Sequence, residues 1–256
     1  MAVAHSVIHA LVLAGGHAPW RNTPKALLPI NDRPLLTRTV EALTQVPQVA
    51  TVTVVAPAEC APLLPPSLRV VQAHGDLWTN VLAGLTAIHP SPEDFVFLCA
   101  ADIPFVTATA LQQFLEMAEE SGADLVYLAV PADAVRQFCG NRDMHRTTVR
   151  LKDGEFTGGN VLLVRAQIVP QIDGLARRAV QLRKQPWRLG QLAGWRTIWR
   201  FLIGCLSVCD LERRAEELLG CRCKAIIAPL PELAFDVDKP ADYDLALQLL
   251  PRSAND

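Results

Sequence analysis

Five short apolar runs, Ile8–Leu13, Thr51–Ala56, Leu68–Gln72, Phe95–Ala100 and Asp124–Val130, alternate along the chain with segments of helical periodicity. Such alternation predicts a mostly parallel sheet covered by helices on both faces, a three-layer α/β/α architecture. The intervening helices are expected over Leu35–Gln45, Ala58–Leu64, Asn80–Ile88 and Thr107–Glu120, the last capped by Thr107. With 256 residues, half of them apolar, the chain is long enough for one large α/β domain spanning 1–256. A more basic, helical stretch at about 167–220 reads as an insertion into it. Open sheets of this kind bind ligands along the carboxyl ends of their strands, so the residues just after each apolar run are the candidates for function.

The first run ends in Ala14-Gly15-Gly16. Two successive glycines let the backbone turn several N–H groups toward one point, a concavity that suits anions. Lys25, with Arg21 four positions before it, can close positive charge over phosphates held there. Taken alone, the pair of glycines equally suits a plain strand end, with Arg21 and Lys25 as solvated charges. The continuation Lys25–Ile30 (KALLPI), the turn Asn31-Asp32-Arg33-Pro34 and an amphipathic helix from Leu35 decide between these. Together they resemble the opening signature of the nucleotidyltransferases that activate sugar phosphates and related acceptors, LxAGGxxxRxxxxKxLLxixGxPLL. Asp32 stands where that family has glycine.

Three later stretches extend the resemblance in the same order. Ala73–Val81 joins a strand to a helix, and Gly75 and Asn80 fill the places of a Gly and a Ser or Asn whose contacts, in the resembled family, read the base. Asn80 also suits the role of helix cap. Cys99-Ala100-Ala101-Asp102-Ile103-Pro104 delivers one carboxylate to the end of an apolar strand, where an unpaired charge is costly. The family's D-x-P aspartate binds the catalytic divalent metal; capping the segment that follows is the other duty open to Asp102. Phe235-Asp236-Val237-Asp238-Lys239-Pro240-Ala241-Asp242 sends Asp236 and Asp238 to one side of an extended segment. It resembles a late D-x-D-T-P-x-D-L element whose second acid completes the metal site, with Lys239 in place of Thr. Asp242 is expected to cap the helix that begins at Pro240.

The pattern breaks from Val130 to Arg150 and resumes as Thr147–Leu151 and Asn160–Val164, joined through a hairpin turn at Leu151–Gly154. Phe156–Asn160 (FTGGN) resembles the element with which nucleotidyltransferases approach their acceptor, and Arg146, Arg150 and Lys152 surround it, either as phosphate-binding cations or as solvated hairpin charges. In the insertion, Trp195, Ile198, Trp199, Leu202 and Ile203 recur at helix spacing. Packing on the sheet domain or a dimer partner is the favoured reading of that face. A membrane-surface helix, and an acceptor lid using Arg183 and Lys184, are the others. Ser207 with Asp210 forms a capping box, and Gly220 a stop.

With 24 basic and 26 acidic residues the chain has no global field to recruit nucleic acid or an anionic membrane. The opening MAVAHS lacks the parts of a signal peptide, and no apolar window is long enough to span a bilayer, so a cytoplasmic location is expected, with membrane contact disfavoured. Seven cysteines without a secretion signal read as reduced thiols; the spacing of Cys205, Cys209, Cys221 and Cys223 is not that of a zinc knuckle.

The chain as a whole is similar to MobA-like nucleotidyltransferases. That resemblance implies a Rossmann-like, GT-A-like sheet of the nucleotide-diphospho-sugar transferase type. It also implies transfer of a nucleoside monophosphate from an NTP to a phosphorylated acceptor, with Mg²⁺ as cofactor and release of pyrophosphate. It assigns catalysis to Lys25, Asp102 and Asp238, and metal to Asp102 and Asp238. Nucleotide binding falls to Leu13, Ala14, Gly15, Gly16, Arg21, Lys25, Gly75 and Asn80, and acceptor binding to Arg150, Lys152, Gly158, Gly159, Asn160 and Lys184. The partners implied are an NTP and a small phosphorylated acceptor such as a sugar, alditol or cofactor phosphate, with a homodimer possible. Two alternatives are a nucleotide-sugar glycosyltransferase, which should show D-x-D at the central strand where this chain has Asp102-Ile103-Pro104, and a nucleotide-binding module without turnover.

Overall fold

Strand alternation sorts the apolar residues of a single run onto two faces of a sheet. In β1 (Ile8–Leu13), Ala10 and Val12 enter the larger core while Leu11 enters a smaller one on the opposite face. The computed structural model, which describes residues 6–140, 142, 146–182 and 194–250, shows how the other strands follow this rule. They are β2 (Val49–Ala56), β3 (Arg69–Gln72), β4 (Phe95–Ala100), β5 (Leu125–Pro131), β6 (Val149–Leu151), β7 (Gly154–Arg165) and β8 (Cys223–Ile227). Their order in the sheet is β8-β5-β7-β4-β1-β2-β3, with β6 paired to β7. The pairs β1–β2, β1–β4, β2–β3 and β5–β8 are parallel; β7 runs antiparallel to both of its neighbours, β4 and β5.

Helices α1 (Leu35–Thr44) and α3 (Ala108–Ser121) cover one face together with α8 (Pro240–Leu249), and α2 (Leu77–Ile88) covers the other with α5 (Val169–Leu182). Thr107 caps α3 through its hydroxyl, which accepts from Ala110 N at 3.1 Å. Asp242 accepts from Lys239 N at the start of α8, as its position before the last apolar periodicity implies. The turn at Asn31-Asp32 has both residues at positive φ, 50° and 64°, which explains why glycine is the usual occupant there; short polar side chains are the substitutes that tolerate it.

Several expectations change. Asn80 does not cap α2: the helix begins three residues earlier, and the Asp76 carboxylate caps it by accepting from Thr79 N at 2.8 Å. Ala58–Leu63 is a 3₁₀ segment interrupted by Pro62, where an α-helix was expected. The break after Val130 contains a further helix, α4 (Ala132–Phe138), too short for its periodicity to register. FTGGN is not a loop between strands but lies inside β7, because pairing with β5 holds Phe156 to Gly158 and resumes at Leu162. The remaining helices are α6 (Trp195–Leu202) and α7 (Val208–Leu219), and α7 carries the Ser207–Asp210 capping box and ends at Gly220. The apolar face of α6 does not pack on the sheet: the helix contributes no buried residue. No helix among the described residues is long and apolar enough to cross a membrane.

Gly84 permits the close approach of α2 to β1. A Cβ at that position would stand 2.4 Å from Leu11 Cδ1, in the middle of the smaller core. Ala is favoured over Gly in a helix by about 1 kcal/mol, yet Gly84→Ala is expected to destabilise the protein, because overpacking a filled core costs about 1–3 kcal/mol. Urea denaturation measures this, and Leu11→Ala should remove most of the Gly84→Ala penalty by opening the space. A Gly84→Ala protein more stable than the wild type would show that the contact does not constrain the core.

Candidate active site

The carboxyl ends of β1 and β4 lie side by side, with Leu13 paired to Ala100, so Gly15-Gly16 and Asp102 emerge next to one another. Ala14 N donates to Val55 O at 2.8 Å and Ala101 N to Leu13 O at 3.2 Å, so both chains hold to the sheet until just before they reach the cleft. A short ribbon, His17–Ala18 against Thr23–Pro24, returns Lys25 to the loop. Its backbone N–H donates to Gly16 O at 2.9 Å, and its side-chain stem would lie 3.3 Å from a Cβ at Gly16. The third segment of chain is recruited by one backbone hydrogen bond, Val237 N to Asp102 O at 2.9 Å, which sets Asp236 and Asp238 against Asp102.

The result is a concentrated set of charges. Lys25 Nζ donates to Asp102 Oδ2 at 2.9 Å and to Asp238 Oδ1 as well. Carboxylate oxygens of Asp102, Asp236 and Asp238 lie within 4.8 Å of one another. Asp236 is paired with the guanidinium of Arg146, which also donates to the carbonyls of Ala234 and Asp236 and sits 5.2 Å from the Phe235 ring centroid. Burial works to lower the Lys25 pKa, but Asp102 and Asp238 outweigh it and hold the ammonium above its ordinary value. Burial would raise Asp238, yet the hydrogen bond and charge of Lys25 bring its carboxyl below the usual range. Asp236 goes the other way: burial pushes it up to about 6, against the pull of Arg146 and with the push of Asp102 and Asp238. Two neighbouring carboxyls are thus displaced in opposite directions, Asp236 by its burial and Asp238 by its bond to Lys25.

A cavity of about 460 Å³ opens beside this cluster. Leu13, Gly15, Gly16, Lys25, Gly75, Asn80, Asp102, Gly159 and Asn160 line it, as does Asp236. Asn80 is buried in α2 and shapes the wall. Its Oδ1 accepts from His74 N at 2.7 Å, and its Nδ2 would be 2.9 Å from a Cβ on Gly15, so the glycine loop and the β3–α2 loop close on the same side chain. On the opposite wall β7 shifts register against β5 between Gly158 and Leu162, which turns Gly159 and Asn160 toward the cavity. A Cβ on Gly158 would meet the Tyr127 hydroxyl at 2.0 Å and one on Gly159 the Leu128 side chain at 2.8 Å, so both glycines are packing requirements.

Not every candidate from the sequence reaches this cavity. Ala14 is buried beneath it, and Arg21 lies over the Tyr243 ring, 5.3 Å from its centroid. Gly158, Arg150 and Lys152 do not line it; the last two belong to the β6–β7 hairpin, where Lys152 N donates to Leu206 O. Arg183 and Lys184 lie outside the described residues. Conversely, Asp236 and Arg146 enter the charge cluster. The alternation of Asp236 with Asp238 was the available signal for the first. Nothing local to Arg146 signals its reach, across 90 residues of sequence, to the Asp236 carboxylate.

A family model for the MobA-like NTP transferase domain matches residues 10–189. The chain belongs to that family. A hypothetical transferase from Thermus thermophilus is 34% identical in sequence and superposes with a TM-score of 0.80, covering 93% of this chain and 100% of that one. A 2-C-methyl-D-erythritol 4-phosphate cytidylyltransferase, also from Thermus thermophilus, superposes with a TM-score of 0.56 at 19% identity, over 96% of this chain and 98% of its own. That likeness establishes a shared fold, the mostly parallel nucleotidyltransferase sheet. The bifunctional enzyme IspD/IspF of Bradyrhizobium sp. (strain BTAi1 / ATCC BAA-1182) is 28% identical over 159 residues, 59% of this chain and 40% of that protein. This chain therefore spans less than half the length of that relative.

The joint role of Asn80 leads to a direct expectation for this MobA-like domain. Asn80→Ala leaves the His74 N–H without its acceptor, at a cost of about 1–3 kcal/mol. Chemical denaturation should register that loss, and amide exchange at His74 and Gly75 should rise with it. Unchanged stability and exchange would mean that the loop is held by other contacts.

Proposed function

We propose that this protein transfers a nucleoside monophosphate from an NTP to a phosphorylated acceptor, a sugar, alditol or cofactor phosphate, and releases pyrophosphate. The observation that carries the reading is the meeting of Lys25, Asp102 and Asp238, from three distant segments, beside the Gly15-Gly16 loop and a cavity. Such a reaction joins an acceptor phosphate oxygen to the α-phosphorus of the NTP and breaks that phosphorus's bond to the oxygen bridging to the β-phosphate. Both reactants are anions, so positioning and charge neutralisation supply most of the rate.

The chain's own groups divide the work. Backbone N–H groups of Gly15 and Gly16 suit the triphosphate, and Lys25 is placed to neutralise the departing diphosphate. Asn80 and Gly75 frame the wall for the base. Gly159 and Asn160, on the opposite wall, are the acceptor contacts that the cavity favours. Asp102 and Asp238, with Asp236 beside them, offer hard oxygen donors of the kind Mg²⁺ takes, and an excess of negative charge that such an ion would balance. Mg²⁺ bound there would offset phosphate charge as the nucleotidyl group is transferred. In the free protein the Lys25 ammonium occupies the space between Asp102 and Asp238, so it has to exchange partners when phosphates arrive.

Lys25→Ala is expected to lower turnover about a hundred- to a thousandfold, the loss of about 2.7–4 kcal/mol typical of a transition-state charge donor. Pyrophosphate release with a panel of four NTPs and phosphorylated acceptors is the assay, and turnover within a few-fold of wild type would remove Lys25 from the chemistry. Asp102→Asn and Asp238→Asn should each abolish Mg²⁺-dependent turnover with the fold intact. The double variant should lose little beyond either single change, because both serve one ion. Strictly additive losses would argue for two independent roles.

A further inference from the structure

Strand β5 buries Val126, Leu128 and Val130 in the larger core, whereas Tyr127, which alternation sends to the opposite face, is 41% exposed. Its hydroxyl lies over the backbone of β7, in the space that a Cβ on Gly158 would need. Gly158 pairs with Ala129 and Leu162 with Tyr127, so three residues of β7, Gly159 to Val161, stand opposite the single Leu128 and bulge beside this ring. Two cavities meet there. One is the active-site cavity of about 460 Å³. The other, of about 270 Å³, runs between α7 and the sheet and is walled almost entirely by apolar groups, among them Leu125, Val149, Phe156, Val208 and Leu211. Among the described residues, Tyr127 is the one that lines both.

A phenolic hydroxyl at such a boundary is satisfied from one side or the other. Among the described residues it has no hydrogen-bond partner. The polar side chains of the apolar cavity are already committed, Glu212 to Lys224 and to Ala225 N, and Thr157 to Thr147 O. A partner therefore comes from what enters the active-site cavity. Burial, and after it the negative charge of Asp236, raise the Tyr127 pKa, so the hydroxyl keeps its proton and can donate. Side-chain donors are scarce on this wall, since Gly159 has none and Asn160 Nδ2 already donates to Leu233 O at 3.3 Å. Resting on the nucleotidyl-transfer reading, we propose that Tyr127 selects the acceptor: its hydroxyl donates to an oxygen of that molecule, and its ring closes the cavity against an apolar chain. The acceptor is then a compact polar phosphate ester, because an analogue that leaves a built hydrogen-bond donor unpaired, or that needs the space behind the ring, is rejected.

Steady-state kinetics of pyrophosphate release by the full chain test this. Wild-type turnover with no member of the NTP and acceptor panel removes the nucleotidyl-transfer reading itself, and this inference with it. With turnover in hand, Tyr127→Phe keeps the ring and loses only the oxygen. It should raise the acceptor KM about tenfold or more while the KM for NTP and the thermal midpoint stay unchanged. A purely structural role would instead move both KM values together or lower the midpoint. Tyr127→Ala, with its fold checked by circular dichroism, joins the two cavities and should make a substrate of hexyl phosphate, which the wild type is expected to refuse. An acceptor KM within about twofold of wild type in Tyr127→Phe, or a parallel rise in both KM values, overturns the proposal. So does wild-type turnover of hexyl phosphate as fast as that of the best panel acceptor, since the ring would then close nothing. Tyr127→Phe is nearly isosteric and keeps the test falsifiable if the alanine variant does not fold.

Discussion

One ammonium holds the site together. Lys25 reaches Asp102 at the end of a central strand and Asp238 near the last helix, while its own backbone is hydrogen-bonded to the glycine loop. Three segments far apart in sequence therefore share one charge balance. Three carboxylates this close would repel, and without Lys25 and Arg146 they would have to take up protons or move apart. Burial, and after it the charges of Asp102 and Asp238, raises Asp236, while the bond to Lys25 holds Asp238 low.

The sheet makes this possible by bringing strand ends to a common edge. β1 and β4 are parallel neighbours in register, so the loop after one and the aspartate after the other meet without any long side chain having to bridge a gap. The antiparallel β7 is the exception in the sheet and closes the cavity from the far side. Its register shift around Gly159 is what exposes backbone and the Asn160 amide there. Glycines recur where a side chain packs directly on the backbone: Leu11 on Gly84, Asn80 on Gly15, Tyr127 on Gly158. Each exchanges helix or strand propensity for proximity.

The helices α6 and α7 obey a different logic from the core. α7 is anchored by its capping box, by Val208 N donating to Asp153, and by Ala225 N donating to Glu212. α6 is held beside it by a guanidinium and turns its indoles outward.

Much of the sheet was legible in the sequence, because strand burial is a local hydrophobic pattern and β1, β2, β4 and β5 each carry it. Asp102 was legible too, since a carboxylate after an apolar run needs a reason to be there. The capping role open to Asn80 goes to Asp76 instead, because both residues suit a helix N-terminus by type. Only the start of the helix decides between them, and Asn80 was then free to bind His74 N. Arg150 and Lys152 looked as apt for the cleft as Arg146 did. Yet hairpin geometry carried the first two away from the cavity, while Arg146 reached Asp236 across 90 residues. Periodicity likewise showed that α6 has an apolar face but not what lies against it. Local pattern by itself determined the strands, the glycine loop and the acidic motifs. Tertiary structure alone decided which charges share a site and which apolar face stays open, because both depend on distances between segments that no local spacing encodes.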